Sequence, residues 1–417
     1  MTAIVGILNK QAVAVAADSA VTIGSGQKIF NTANKIFTLS KHHPVGIAIY
    51  GNASYNSCIP WEIVVKMYRD QLGDSSKTTI KEYAADFFNY LETYKAKYLS
   101  QDEIDDALCR DIYDFWHVMI LEKKPNDDPG FKKEEMPKIK NRLADILKQC
   151  SSAKIIDQLK DITKEEFLKS IQGVLDVVAN QYKDVECDFG EDSEIISDIF
   201  YTVFTKKVFN LNYTGLAFFG YGDDEIYPSI YTVRVYDSVV NASYREEEVY
   251  YDAHVDSYIC PMAQKDEMYS YITGINPYIQ EAIVKTTKAT YLLLLNQIAD
   301  IVTGENDDLA HRIRGIDIDA LMGDYEKEVE DLKRTKMIIP LMRTVSTMGK
   351  EDLAELAENL VYQTSLKRHI TPYLESVGGP VDVAVVSKGD GFVWIKRKHY
   401  FNADLNRSFF DNYFEHK

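Results

Sequence analysis

The chain is 417 residues long and carries a formal net charge of −17, so phosphate backbones are repelled and nucleic-acid binding is not expected. No apolar run approaches the ~20 residues that a membrane-spanning helix needs. The five cysteines lack paired spacing and no CxxC or HExxH occurs, so free structural thiols are expected, with no disulfide framework and no metal centre.

The opening Met1-Thr2-Ala3-Ile4-Val5-Gly6 lacks the basic region of a signal peptide, and Asn9-Lys10-Gln11 breaks the apolar stretch. A cytoplasmic location follows as an expectation. Thr2 to Leu8 reads as a β-strand, Asn9-Lys10-Gln11 as a turn, and Ala12 to Ala17 as the returning strand of a hairpin that ends at Asp18-Ser19. Thr22 to Phe30, with Gly24 and Gly26, suits a loop and twisted ribbon. Asn34 to Leu39 and Val45 to Tyr50 are strands separated by the turn at Lys41-His42-His43-Pro44.

Pro60 and Gly73 bracket a helix with Ile63, Val64, Met67, Tyr68 and Leu72 as its apolar stripe. Thr79 and Glu82 have the spacing of a capping box that opens the next helix. Residues 102–209 stay helical and polar, and read as an insertion. Strands return at Thr214 to Phe219, Ser229 to Tyr236 and Glu247 to Tyr251. Residues 275–344 form a second helical segment, with Ile275 to Val302 and Ile316 to Lys333 helical. Another helix follows at Lys350 to Ser365, capped by Ser346 or Thr347. Val381 to Val386 and Gly391 to Arg397 make a closing hairpin. Runs of strands alternating with runs of helices predict an α+β chain, with antiparallel sheets packed between helical layers.

Thr2 lies directly behind the initiator methionine. Removal of Met1 leaves a threonine whose hydroxyl is a nucleophile and whose own amine accepts the proton, so no histidine is required. That amine has an ordinary pKa of about 7.7–8.0, and a nearby ammonium lowers it. Asp18 ends the strand that pairs with the first, which brings it back toward the N-terminus. Lys35 is expected to begin a later strand of the same sheet, where Asp18 holds its ammonium beside Thr2. Gly51 closes the strand Val45 to Tyr50 and allows a backbone N–H to face a developing oxyanion.

Thr2-Ala3-Ile4-Val5-Gly6, Ala16-Ala17-Asp18-Ser19-Ala20-Val21-Thr22, Lys35-Ile36-Phe37 and Gly46-Ile47-Ala48-Ile49-Tyr50-Gly51 together resemble the opening of a proteasome β subunit and its bacterial relatives. Leu216 to Tyr221, Pro228 to Tyr231 and Gly378 to Val386 are similar to later strands of that family. The resemblance implies a single N-terminal-nucleophile hydrolase domain over residues 1–417, a four-layer αββα sandwich, and a threonine-type peptidase without cofactor. By the same resemblance Thr2 is nucleophile and base, Asp18 and Lys35 tune it, Gly51 supplies the oxyanion donor, and Thr22 binds substrate backbone. Val21, Ala33, Ile49 and Ala53 line the pocket for the residue before the cut, which predicts apolar preference. Peptide or unfolded-protein substrates, a homo-oligomer and an ATP-dependent unfoldase are the implied partners.

The chain departs from the family's supporting segments. Ile259 to Gln264 stands where a Gly-Ser-Gly segment is usual. At Glu375-Ser376-Val377-Gly378-Gly379 the family's aspartate is missing, and Ser376 is left to supply the hydroxyl. Two other readings therefore stay open: a non-catalytic assembly or binding subunit, and an amidase for small substrates.

Overall fold

The computed structural model describes residues 2–23, 28–123, 127–128, 130–151, 153–206, 208, 213–252, 256–371, 378–399 and 401–408; at 22, 23, 28, 29, 151 and 403 it describes the backbone alone. Helix and strand are mixed along the chain. The N-terminal strands are β1 (Ile4–Asn9), β2 (Ala12–Ala17), β3 (Val21–Ile23), β4 (Lys28–Phe30), β5 (Ile36–Thr38), β6 (Val45–Gly51), β7 (Ser54–Tyr55) and β8 (Ile59–Pro60). Helices α1 (Trp61–Leu72) and α2 (Ile80–Tyr98) follow. Pro60 precedes the first turn of α1, and Gly73 ends the helix at φ +53°, in the left-handed region that glycine tolerates. The Thr79 hydroxyl accepts from the Glu82 N–H and so caps α2.

The middle of the chain holds α3 (Gln101–Phe115), α4 (Met136–Ser151), α5 (Lys164–Ser170), α6 (Gln172–Asp184) and α7 (Ser193–Thr205). These helices pack on a core of their own around Trp116, Phe167, Tyr182 and Phe200, which also takes in Val239 and Tyr244. Four strands come next: β9 (Tyr213–Gly220), β10 (Ser229–Val239), β11 (Ala242–Asp252) and β12 (Ser257–Ala263). Then come α8 (Lys265–Thr273), α9 (Pro277–Val302), α10 (Asp307–Arg314), α11 (Ile318–Lys333), α12 (Ile339–Thr347) and α13 (Lys350–Ile370), before β13 (Asp382–Ser387) and β14 (Gly391–Lys396).

Two five-stranded antiparallel sheets result, in the orders β12-β1-β2-β13-β14 and β11-β10-β9-β6-β5. β1 and β2 are buried on both faces, which explains their unbroken apolar runs. Their alternation sorts the two faces. Ile4, Leu8, Val13 and Val15 pack between the sheets with Ala217, Phe219 and Ile230, whereas Val5, Ile7, Ala14 and Ala16 face α8, α12 and α13. On the far side, Trp61, Tyr68 and Phe87 of α1 and α2 cover Phe218 and Tyr231 of the second sheet. The inter-sheet gap closes tightly at Gly6, where a Cβ would lie 2.7 Å from Ile230 Cδ1.

Three sequence expectations are corrected here. Lys35 immediately precedes β5 in the second sheet, while Asp18 follows β2 in the first. Alternation along a segment marks it as a strand but carries no information about which sheet it joins. The residues 259–264 lie largely within β12, an edge strand paired to β1 that the sequence reading had not identified. Helix α13 is entered from Gly349, whose N–H donates to Asp352 Oδ2, while Ser346 and Thr347 belong to the preceding helix and bond back to its own carbonyls. All five cysteines are free. Among the described residues, no helix is long and apolar enough to cross a membrane, and no His, Cys, Asp or Glu cluster could hold a metal ion.

Candidate active site

The β1–β2 register pairs Ile4 with Ala17, so Asp18 arrives opposite Ala3, one residue from Thr2. The two are clamped twice. The Asp18 N–H donates to Ala3 O at 3.1 Å, and the Ala3 N–H donates to Asp18 Oδ1 at 2.9 Å. Asp18 is 1% exposed, and its second oxygen accepts from the N–H groups of Ala20 (3.2 Å) and Gly378 (3.1 Å). Taking a carboxylate out of water costs free energy, which these donors offset.

Lys35 completes this arrangement from the other sheet. Its backbone carbonyl accepts from the Ile49 N–H at 2.8 Å, which fixes it at the mouth of the β5–β6 pair. Its ammonium donates to Asp18 Oδ1 at 2.7 Å and to Ala20 O at 2.6 Å. Burial pushes the Lys35 ammonium below the ordinary lysine range, against the pull of the Asp18 carboxylate toward the charged form. A second, partly buried pair stands close by: Lys398 donates its Nζ to Asp382 Oδ2 and its backbone N–H to Asp382 Oδ1. Lys398 lowers Lys35 further, and Asp382 opposes it.

Thr2 is itself 8% exposed and lines a cavity of about 210 Å³. Lys35, Gly51, Val21, Ala33, Ile49 and Ala53 line the same cavity, with Trp61 and Glu62 at the start of α1. The sequence-selected nucleophile, lysine, glycine and apolar quartet therefore meet in one place. Gly51 has φ +79°, and a Cβ there would lie 2.3 Å from Tyr213 O. N–H groups alternate sides along a strand. Ile49 donates to Lys35 O and Asn52 donates to Tyr213 O, so the Gly51 N–H is directed to the β5 side, beyond that strand's first residue.

Of the remaining expected site residues, Thr22 lies in β3, and its side chain is outside the described residues. Ser376 and Met1 are also outside them. Sequence reasoning did not assign the Gly378 N–H, the Ala20 carbonyl, or the Asp382–Lys398 pair. The turn Gly378-Gly379-Pro380 before a buried strand was a usable signal for the first, because it ends where β13 pairs with β2. The carbonyl and the second pair depend on tertiary placement.

No protein-family model matches the sequence, and no curated protein matches it. The chain is similar to solved structures of Anbu. A Gly-1 mutant of Anbu from Hyphomicrobium sp. strain MC1 aligns at 9% identity and TM-score 0.29, over 99% of this chain and 94% of that one. Anbu from the same strain aligns at 10% identity and TM-score 0.28, over the same shares.

Proposed function

We propose that this chain is an N-terminal-nucleophile hydrolase of the proteasome-like type, acting on peptide bonds through Thr2 after Met1 is removed. The observation that carries the reading is that Lys35, held in a buried pair by Asp18, lines the same cavity as Thr2. An ammonium there disfavours protonation of the Thr2 amine, and Asp18 fixes its position. The amine takes the proton from the Thr2 hydroxyl as its oxygen attacks the scissile carbonyl. The Gly51 N–H donates to the oxyanion of the tetrahedral intermediate. The protonated amine then gives its proton to the leaving amine, the C–N bond breaks, and an ester to Thr2 remains. Water, deprotonated by the same amine, attacks the ester and frees the threonine. Val21, Ala33, Ile49 and Ala53 receive an apolar side chain before the cut.

The test is hydrolysis of fluorogenic peptides by Thr2→Ala and Thr2→Ser. Abolition in the first and partial retention in the second support the reading, whereas full activity of Thr2→Ala removes it.

Self-association is part of the proposal. Helix α9 has 26 residues and buries only Ala299. Ile279, Ile283, Leu294, Ile298 and Ile301 are exposed on one face of it at helical spacing, and Leu309, Ile316, Leu321 and Leu332 are exposed on the segment that follows. A standard interface covers about 800 Å² per partner, and nine half-exposed apolar side chains supply area of that order. A second copy is the occupant, because an apolar helix face is complementary to itself across a two-fold axis. A monomer mass in light scattering rules this out.

A further inference from the structure

A second cleft, of about 500 Å³, lies beside the Thr2 cavity, and Phe37 and Glu62 line both. It is framed by β5 and β14, one edge strand from each sheet, and by α1. Its charge is opposite to that of the molecule. Arg69 and Arg397 line it with Lys66, which is itself paired to Asp70, against the single lining carboxylate of Glu62, in a chain of net charge −17. A cationic cleft in an acidic surface focuses the field on anions that enter it.

Its donors are also incompletely used. Arg69 Nη1 donates to Thr38 Oγ1 at 2.9 Å, but Arg69 Nε is buried and has no acceptor among the described residues. The same is true of Trp394 Nε1. The Arg397 guanidinium lies 4.8 Å from the centroid of the Trp394 ring, which orients the cation at the cleft wall. A buried N–H without an acceptor costs about 1–3 kcal/mol, and a side chain that turns its N–H toward an acceptor in the cleft recovers that penalty. The Arg69 and Arg397 guanidinium groups, with the Trp394 N–H in the buried part of the cleft wall, suit a planar, bidentate anion.

We propose that this cleft binds a carboxylate of the peptide whose scissile bond lies at Thr2. The inference rests on the hydrolase reading for its substrate class. The carboxylate is either the C-terminus of the peptide or an Asp or Glu side chain within it.

The test is fluorescence-polarisation binding to the full-length Thr2→Ala protein, which needs no turnover. Three labelled peptides with the same apolar core are compared: a C-terminal acid, a C-terminal amide containing one Glu, and a C-terminal amide without acid. The expected result is binding of at least one acidic peptide roughly 10-fold tighter than the neutral one, a gap worth ~1.4 kcal/mol, shrinking as salt is raised. Arg397→Gln and Trp394→Phe, each added to Thr2→Ala, should reduce that preference several-fold and leave the neutral peptide unchanged. Whichever acidic peptide binds tighter identifies the source of the carboxylate. Equal binding of all three, or a preference unaffected by both substitutions, overturns the proposal. The two readings fail separately. An active protein without carboxylate preference loses this inference alone. A protein without hydrolysis that keeps the preference retains the cleft and loses the reaction.

Discussion

Replacing Lys35 with methionine separates its electrostatic role from its packing. The side chain is nearly isosteric and stays apolar where Lys35 is 5% exposed. The lost partner is an ammonium 2.7 Å from Asp18 Oδ1. At an effective dielectric of about 20, that separation corresponds to ~6 kcal/mol of attraction, offset by the desolvation of both ions. Breaking a buried pair by removing one member costs ~3–5 kcal/mol. The lower end applies, because three backbone N–H groups still donate to Asp18. We expect thermal unfolding to fall by roughly 3–4 °C, because a chain of 417 residues unfolds with an entropy of ~0.9 kcal/mol/K. Peptide hydrolysis at pH 7 should fall by roughly 10-fold, because the Thr2 amine returns toward its ordinary pKa of about 7.7–8.0 and is mostly protonated there. Scanning calorimetry and a fluorogenic peptide assay read the two effects. A folded Lys35→Met protein with activity within threefold of the parent refutes the catalytic role. Unchanged stability would refute the buried pair itself.

Other outcomes follow from the same geometry. Gly51→Ala sets a Cβ against Tyr213 O at a positive φ, so ~1–3 kcal/mol of strain and a ~10²–10³ drop in kcat are expected in denaturation and turnover assays. Lys35 loses its proton below the ordinary lysine value, so the alkaline limb of the kcat/KM profile should begin at a lower pH than an unperturbed lysine gives. Stability has the matching sign: the unfolded chain holds this proton longer, so the Lys35 contribution rises with pH between its folded and ordinary values. Lys398→Met removes a charge that lowers Lys35 and should move that limb to higher pH; a profile that stays fixed contradicts the coupling. A peptide panel varied at the residue before the cut should favour apolar side chains over Asp or Lys, and the reverse order would discard the pocket made by Val21, Ala33, Ile49 and Ala53.

Much of the site was legible because its first half is local. The turn at Asn9-Lys10-Gln11 sets the hairpin register, and that register alone returns Asp18 to Ala3. Gly51 was legible from its place at a strand end. Lys35 was found as a residue but assigned to the wrong sheet, since β3 and β4 separate it from β2 and leave no periodic trace of the crossing. The strand β12 was hidden because Ile259-Cys260-Pro261-Met262-Ala263 does not alternate. It is buried nearly throughout and carries a proline at a sheet edge, where a missing N–H is tolerated. The Asp382–Lys398 pair joins residues across the β14 hairpin, and only the folded chain places it near Lys35.

Intact-protein and peptide mass spectrometry after incubation with a peptide epoxyketone tests the central assignment most directly. The account predicts a chain that begins at Thr2 and carries one covalent adduct on that residue, absent from Thr2→Ala. A protein that has lost Met1, is folded, and remains unlabelled would contradict it.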